Sequence, residues 1–113
     1  MEKIDIQLYT NLNNLEETHK LLAIKDNDVI KYNDLENNKI MVDMENNIMT
    51  RENQDYHFTL DFNTDNIIIK LKSLDKTFNK EIKTLWIEKK KKSYNVKYQL
   101  IDDDIINEYH IKF

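Results

Sequence analysis

YHFTLDFNTDNIIIKL, residues 56–71, decides how this chain folds. Tyr56, Phe58, Leu60 and Phe62 alternate with His57, Thr59 and Asp61, and Ile67, Ile69 and Leu71 then resume the alternation. Successive side chains of a strand point to opposite faces. A period of two with one apolar and one polar phase therefore marks a strand buried on one side. Between the two runs stands Asn63-Thr64-Asp65-Asn66, short and polar, the composition of a chain reversal. The stretch reads as an antiparallel hairpin.

The same grammar runs outward in both directions. Upstream are Ile4, Ile6 and Leu8; then His19, Leu21 and Ala23, or Leu22 and Ile24 on the other parity; then Val29, Ile30 and Tyr32; Ile40, Val42 and Met44; and Ile48 with Met49. Downstream are Ile82, Thr84 and Trp86; Tyr94, Val96, Tyr98 and Leu100; and Ile105, Asn107, Tyr109, Ile111 and Phe113. The β-branched and aromatic residues that fit a pleated surface are enriched in these runs. Only 73–86, SLDKTFNKEIKTLW, reads two ways: Leu74, Phe78 and Ile82 have helical spacing. We read strand from about Lys80, with a turn or a single helical turn before it.

The chain has no glycine and no proline, so its turns must be made otherwise. Asn13-Asn14, Asp26-Asn27-Asp28, Asn37-Asn38 and Asn46-Asn47 separate the runs, and Leu35-Glu36-Asn37-Asn38 is echoed nine residues later by Met44-Glu45-Asn46-Asn47. Tight hairpins need positive φ at their centre. After glycine, asparagine and aspartate accept it best, because a short polar side chain bonds the local backbone. The echo is thus one strand plus its turn. Two copies fall short of a repeat array, and the abundance of Ile, Asn and Lys reflects AT-rich coding.

The expected fold is all-β and a single domain over 1–113. About 8–10 strands form a closed or nearly closed antiparallel up-and-down barrel, with a sandwich as the alternative. A net charge of −4 argues against a general nucleic-acid binder. The absence of cysteine removes disulfides and thiol chemistry. MEKIDIQLYT is not a signal peptide, and no run is apolar enough to span a membrane, so a cytoplasmic location is expected.

Residues able to carry chemistry are few. His19, His57 and His110 lack the spacing of a short-loop metal site, and His57 and His110 lie in the outward phase. Asp102-Asp103-Asp104 reads as a solvated hairpin and Lys89–Lys92 as a basic turn. Ser73 and Ser93 sit in no nucleophile motif. No catalytic residue, metal or cofactor is expected, and an enzyme is the third-ranked reading. Arg51 stands out as the one arginine among sixteen lysines, since its planar fork does what lysine cannot. It suits either a structural ion pair or a polar anchor in a barrel. Tyr32, Tyr56, Trp86, Tyr98 and Tyr109 suit either a filled core or an amphipathic cavity lining.

Ile30-Lys31-Tyr32 with Asp34 and Glu36, Ile48-Met49-Thr50-Arg51, Phe58-Thr59-Leu60-Asp61-Phe62, Ile82-Lys83-Thr84-Leu85, Tyr98-Gln99-Leu100 and Tyr109-His110-Ile111-Lys112-Phe113 occur in this order along almost the whole chain. In these stretches the chain resembles the YwiB-like family of small bacterial proteins of unknown function. The resemblance implies a lipocalin-like (calycin-type) β-barrel and no established activity. The family tends to carry glycine two residues after the arginine, where this chain has Asn53. The leading functional expectation is a small-molecule-binding barrel, monomeric or homodimeric, with Arg51 or Tyr32 meeting a polar ligand group. The alternative is a packed-core interaction or structural module.

Overall fold

The structure is a computed structural model and describes every residue except Asp103, so that part of the Asp102–Asp104 reading lies outside the described residues. Ten strands follow one another: β1 (Glu2–Leu12), β2 (Leu15–Asp26), β3 (Val29–Asn33), β4 (Lys39–Asp43), β5 (Ile48–Glu52), β6 (Tyr56–Asp61), β7 (Asn66–Leu71), β8 (Lys76–Lys90), β9 (Ser93–Leu100) and β10 (Ile106–Lys112). Each pairs antiparallel with its neighbours in sequence, and β10 closes on β1, giving an up-and-down barrel. The opening stretch forms the β6–β7 hairpin, with Phe58 opposite Ile69 and Leu60 opposite Ile67. No helix of the described residues is long and apolar enough to cross a membrane.

The turns are made as the composition requires. Asn13, Asn14, Asn27, Asn37, Asn47, Asp65, Asp75 and Asp104 all have positive φ, and every one is an asparagine or aspartate. Asn13 and Asn14, at 54° and 65°, form the two-residue reversal whose twist matches the flanking strands, and Leu12 pairs with Leu15 across it. Asn53 does it differently. It keeps negative φ, and its Oδ1 accepts the backbone N–H groups of Asp55 (2.8 Å) and Tyr56 (3.0 Å), so the side chain closes the turn that a glycine would otherwise make.

Two features depart from the sequence reading. β8 begins at Lys76, earlier than about Lys80, with a turn over 72–75 before it, because Lys76–Glu81 pair along the whole of β7 and so satisfy a backbone that a lone helical turn would leave marginal. At Leu85 β8 carries a bulge: Thr84 faces Tyr98, but Trp86 faces Lys97. One extra residue reverses the side-chain phase. Trp86 therefore leaves the inward phase of Ile82 and Thr84 and stands outside the wall, 39% exposed.

The two ends of the barrel differ. Toward the end carrying the β2–β3, β4–β5, β6–β7 and β8–β9 turns, Ile6, Ile30, Val42, Ile82, Tyr94, Val96 and Ile111 are almost wholly buried. Each such side chain stabilises the fold by about 1.5–3 kcal/mol. The Tyr94 phenol donates to Asn47 Oδ1 at 3.1 Å in the turn beneath it. The inward residues of β5 and β6, Met49, Phe58 and Leu60, remain only half-buried. Ten strands enclose more width than side chains fill, and the spare volume collects there.

Candidate functional site

That volume is a cavity of about 570 Å³ inside the upper barrel, within the range of small-molecule sites. Its walls are the inward phases of the strands: Leu8, Leu21, Ile40, Met49, Phe58, Leu60, Ile67, Ile69 and Leu100 form an apolar sleeve. Polar groups enter at two levels. Tyr32 (β3), Tyr98 (β9), Tyr109 and Asn107 (both β10) stand against the sleeve, while Glu17, His19, Asp34, Glu36, Arg51 and Lys80 stand around the mouth. A larger concavity of about 890 Å³ lies on the outer wall between β2 and β5. It is open to solvent, and its lining mixes apolar residues such as Leu22 and Ile24 with Lys3, Lys31 and Lys39 and with the paired Glu52 and His57.

Strands far apart in sequence bring the tyrosines together. The Tyr32 and Tyr109 hydroxyls are hydrogen-bonded to each other, and both rings are buried. A phenol has one O–H and two lone pairs, so when one donates to the other, the acceptor's own O–H remains available. The pair thus holds a spare donor and spare acceptor capacity. Burial raises the pKa of Tyr32 and Tyr109 well above the ordinary phenol value and pushes Tyr98 up to about 12, with Asn107 partly opposing the rise at Tyr98. All three therefore stay neutral hydroxyls. Asn107 also anchors the roof, accepting the Asn13 backbone N–H at 2.9 Å.

Arg51 sits at the mouth and is held by the loop between β3 and β4. Its Nη2 lies 3.3 Å from Glu36 Oε2 and 3.7 Å from Asp34 Oδ2, while its Nε is buried without a partner among the described residues. Asp34 in turn accepts the backbone N–H groups of Glu36 (3.0 Å) and Asn38 (2.8 Å) through Oδ1. Asn38, only 2% exposed, receives Asn53 Nδ2 at 2.9 Å on its own Oδ1. The loop is thereby clamped to the β5–β6 turn. Asp34, Glu36 and Arg51, separated in sequence, form one ion cluster. The structural ion-pair reading of Arg51 describes its Nη2 and leaves its Nε as a buried donor still to be met.

The six residues singled out from the sequence thus separate. Tyr32, Tyr98, Tyr109 and Arg51 share the cavity. Tyr56 lies just outside it, stacked on Phe58 with ring centroids 4.1 Å apart and its hydroxyl 3.5 Å from Asn38 Oδ1. Trp86 is on the opposite side of the wall, 6.1 Å from the His110 ring. Sequence reading missed Glu17 and Lys80 at the mouth. It put Asn107 in phase with Tyr109 and Ile111, and His19 with Leu21 and Ala23, but assigned neither to a site.

No family model matches the chain. No curated protein and no solved structure matches it either. Among the described residues, no three or more acidic, histidine or cysteine side chains converge as a metal site.

Proposed function

We propose that this protein is a cytoplasmic small-molecule-binding barrel of lipocalin-like shape, acting as a carrier or sensor. Its upper cavity takes a mostly apolar molecule carrying one neutral hydrogen-bond acceptor, such as a carbonyl or ether oxygen. The observation that carries this reading is the buried Tyr32–Tyr109 pair in the wall of a largely apolar sleeve, where the mutual bond uses one O–H and leaves the other to be offered to a ligand acceptor. A strongly anionic ligand is disfavoured. The Arg51 charge is already met by Asp34 and Glu36, and Glu17 adds a third carboxylate at the mouth. The closed barrel supports the YwiB-like resemblance as far as architecture goes.

Native mass spectrometry of the protein isolated from its own type of cell tests the proposal, together with titration of a neutral apolar dye. A reproducible small-mass adduct, released on unfolding and displaced by the dye, is the expected result. Tyr109→Phe should weaken retention of the adduct about ten-fold, the equivalent of one lost hydrogen bond to a buried partner. A clean apo mass combined with no saturable dye binding would sink the reading and return the barrel to the interaction-module alternative.

A further inference from the structure

The barrel wall is weakest between β2 and β3. Those strands pair at only three positions, Ile24 with Lys31, Lys25 with Ile30 and Asp26 with Val29, whereas β2 pairs with β1 along its whole length. β3 then turns away into the loop carrying Asp34. Among the described residues, no strand covers the second edge of β2 from Leu15 to Ala23. The Asn13-Asn14 reversal sets which groups lie there. Leu12 and Leu15 flank a two-residue turn and exchange hydrogen bonds, so the odd positions of β2 bond β1 and the even ones point away. The backbone N–H and C=O groups of Glu16, Thr18, Lys20 and Leu22 therefore face outward along a bare edge, the kind of edge that recruits another strand.

The side chains of this edge read Glu16-Glu17-Thr18-His19-Lys20, acidic before the threonine and basic after it. An antiparallel partner with the same sequence, related by a two-fold axis through Thr18, would set Glu16 opposite Lys20 of the second copy and Glu17 opposite its His19. Leu15 would lie opposite its Leu21. The 16/20, 17/19 and 15/21 pairs are each complementary and each formed twice by symmetry, and Thr18 meets Thr18 on the axis. Shifting the axis by one residue to either side loses this match. An axis through Glu17 sets glutamate against glutamate, and one through His19 sets Glu16 against Leu22. The backbone permits this register, since even positions, whose hydrogen-bonding groups face outward, lie opposite even positions, as they do for any axis through a residue; the side chains choose the register.

We propose that the bare edge of β2 is a self-complementary docking surface, and that two copies join there as an isologous dimer in the Thr18 register. Leu22, 75% exposed on the outer face beside the edge, extends the contact. Glu17 and His19 stand at the cavity mouth, so the second copy would also screen one side of that mouth. A contact of this size is small and polar, which sets the association in the transient class.

Sedimentation velocity on the full chain from about 1 µM to about 1 mM tests this, using charge reversal at exposed positions that leave the barrel intact. The native chain should show a concentration-dependent dimer. Lys20→Glu alone and Glu16→Lys alone should each raise the dissociation constant about ten-fold or more, since each sets like charges opposite one another. The double variant carrying both changes should recover the dimer. An equimolar mixture of the two single variants should form a heterodimer, because positions 16 and 20 are both acidic in the first variant and both basic in the second. Unaltered thermal midpoints would show that folding is unaffected. A monomer throughout the concentration range would overturn the proposal, and so would a dimer indifferent to single reversal. Neither result depends on whether the cavity binds a ligand.

Discussion

The hydroxyls of Tyr32 on β3 and Tyr109 on β10 are hydrogen-bonded to each other inside the barrel, joining residues 77 positions apart. The bond ties together two strands separated in the wall by β2 and β1, across the inside of the barrel. Tyr32→Phe and Tyr109→Phe should each cost about 1–3 kcal/mol, since each leaves a buried hydroxyl without its partner. The double variant should cost less than the sum. Urea unfolding of the four proteins measures the coupling, and strict additivity would show that the hydroxyls do not depend on one another.

Alkaline pH should weaken the fold. Burial raises the phenol pKa values of Tyr32, Tyr94, Tyr98 and Tyr109 above the ordinary value. In the unfolded chain these groups lose protons near pH 10, whereas in the barrel Tyr98 holds its proton to about 12 and the others also resist. The unfolded state therefore binds fewer protons in that window, so stability is intact below about pH 10 and falls as pH rises through it. Each phenol contributes a slope of up to about 1.4 kcal/mol per pH unit. Unfolding midpoints followed from neutral pH to about 12 check this, and a flat profile would contradict the burial of these rings.

The two halves of the barrel should respond differently to truncation. Ile111→Ala removes packing from the closed end, where the side chain is fully buried, and should cost about 2–5 kcal/mol. Leu60→Ala acts on the cavity wall, where the side chain already borders empty space, and should cost less than half as much. Equal losses would mean the upper barrel collapses onto itself in solution.

Trp86 should report on the outer surface and not on the cavity. Its emission should be readily quenched by acrylamide and unchanged when the cavity is filled, because the β8 bulge turns the indole away from the lumen. Deleting Leu85 would remove the bulge and leave Trp86 opposite Lys97 and Ile87 opposite Val96 in regular pairing, so the indole should stay outside the wall. A Trp86 signal that tracked dye binding stoichiometrically would contradict the outward placement.

Arg51 should matter locally more than globally. Its ion pairs are partly exposed, so Arg51→Ala should change overall stability by less than about 1 kcal/mol. Amide exchange at Glu36 and Asn38, whose N–H groups bond Asp34, should quicken as the clamp on the loop loosens. Unchanged exchange at both amides would show that Asp34 and Asn38 hold the loop without the arginine.

The strands and turns of this protein were legible in its sequence because their causes are local. Alternation of side chains sets a strand, and positive φ at Asn14 or Asn47 needs only the residue itself and its neighbours. Even Tyr109 and Ile111 could be assigned to the same wall by parity alone. The site was only half legible. Nothing in the sequence pairs Tyr32 with Tyr109 or Arg51 with Asp34, since those contacts exist only after the sheet closes and fixes the stagger of β3 against β10. Trp86 was misplaced for a related reason: a bulge depends on how β8 fits β9, and one extra residue reverses every phase after it. Sequence determined that this chain makes a succession of antiparallel strands, and left a barrel and a sandwich both open. Closure of ten strands, with more width than their side chains fill, decided that one end would be solid and the other hollow.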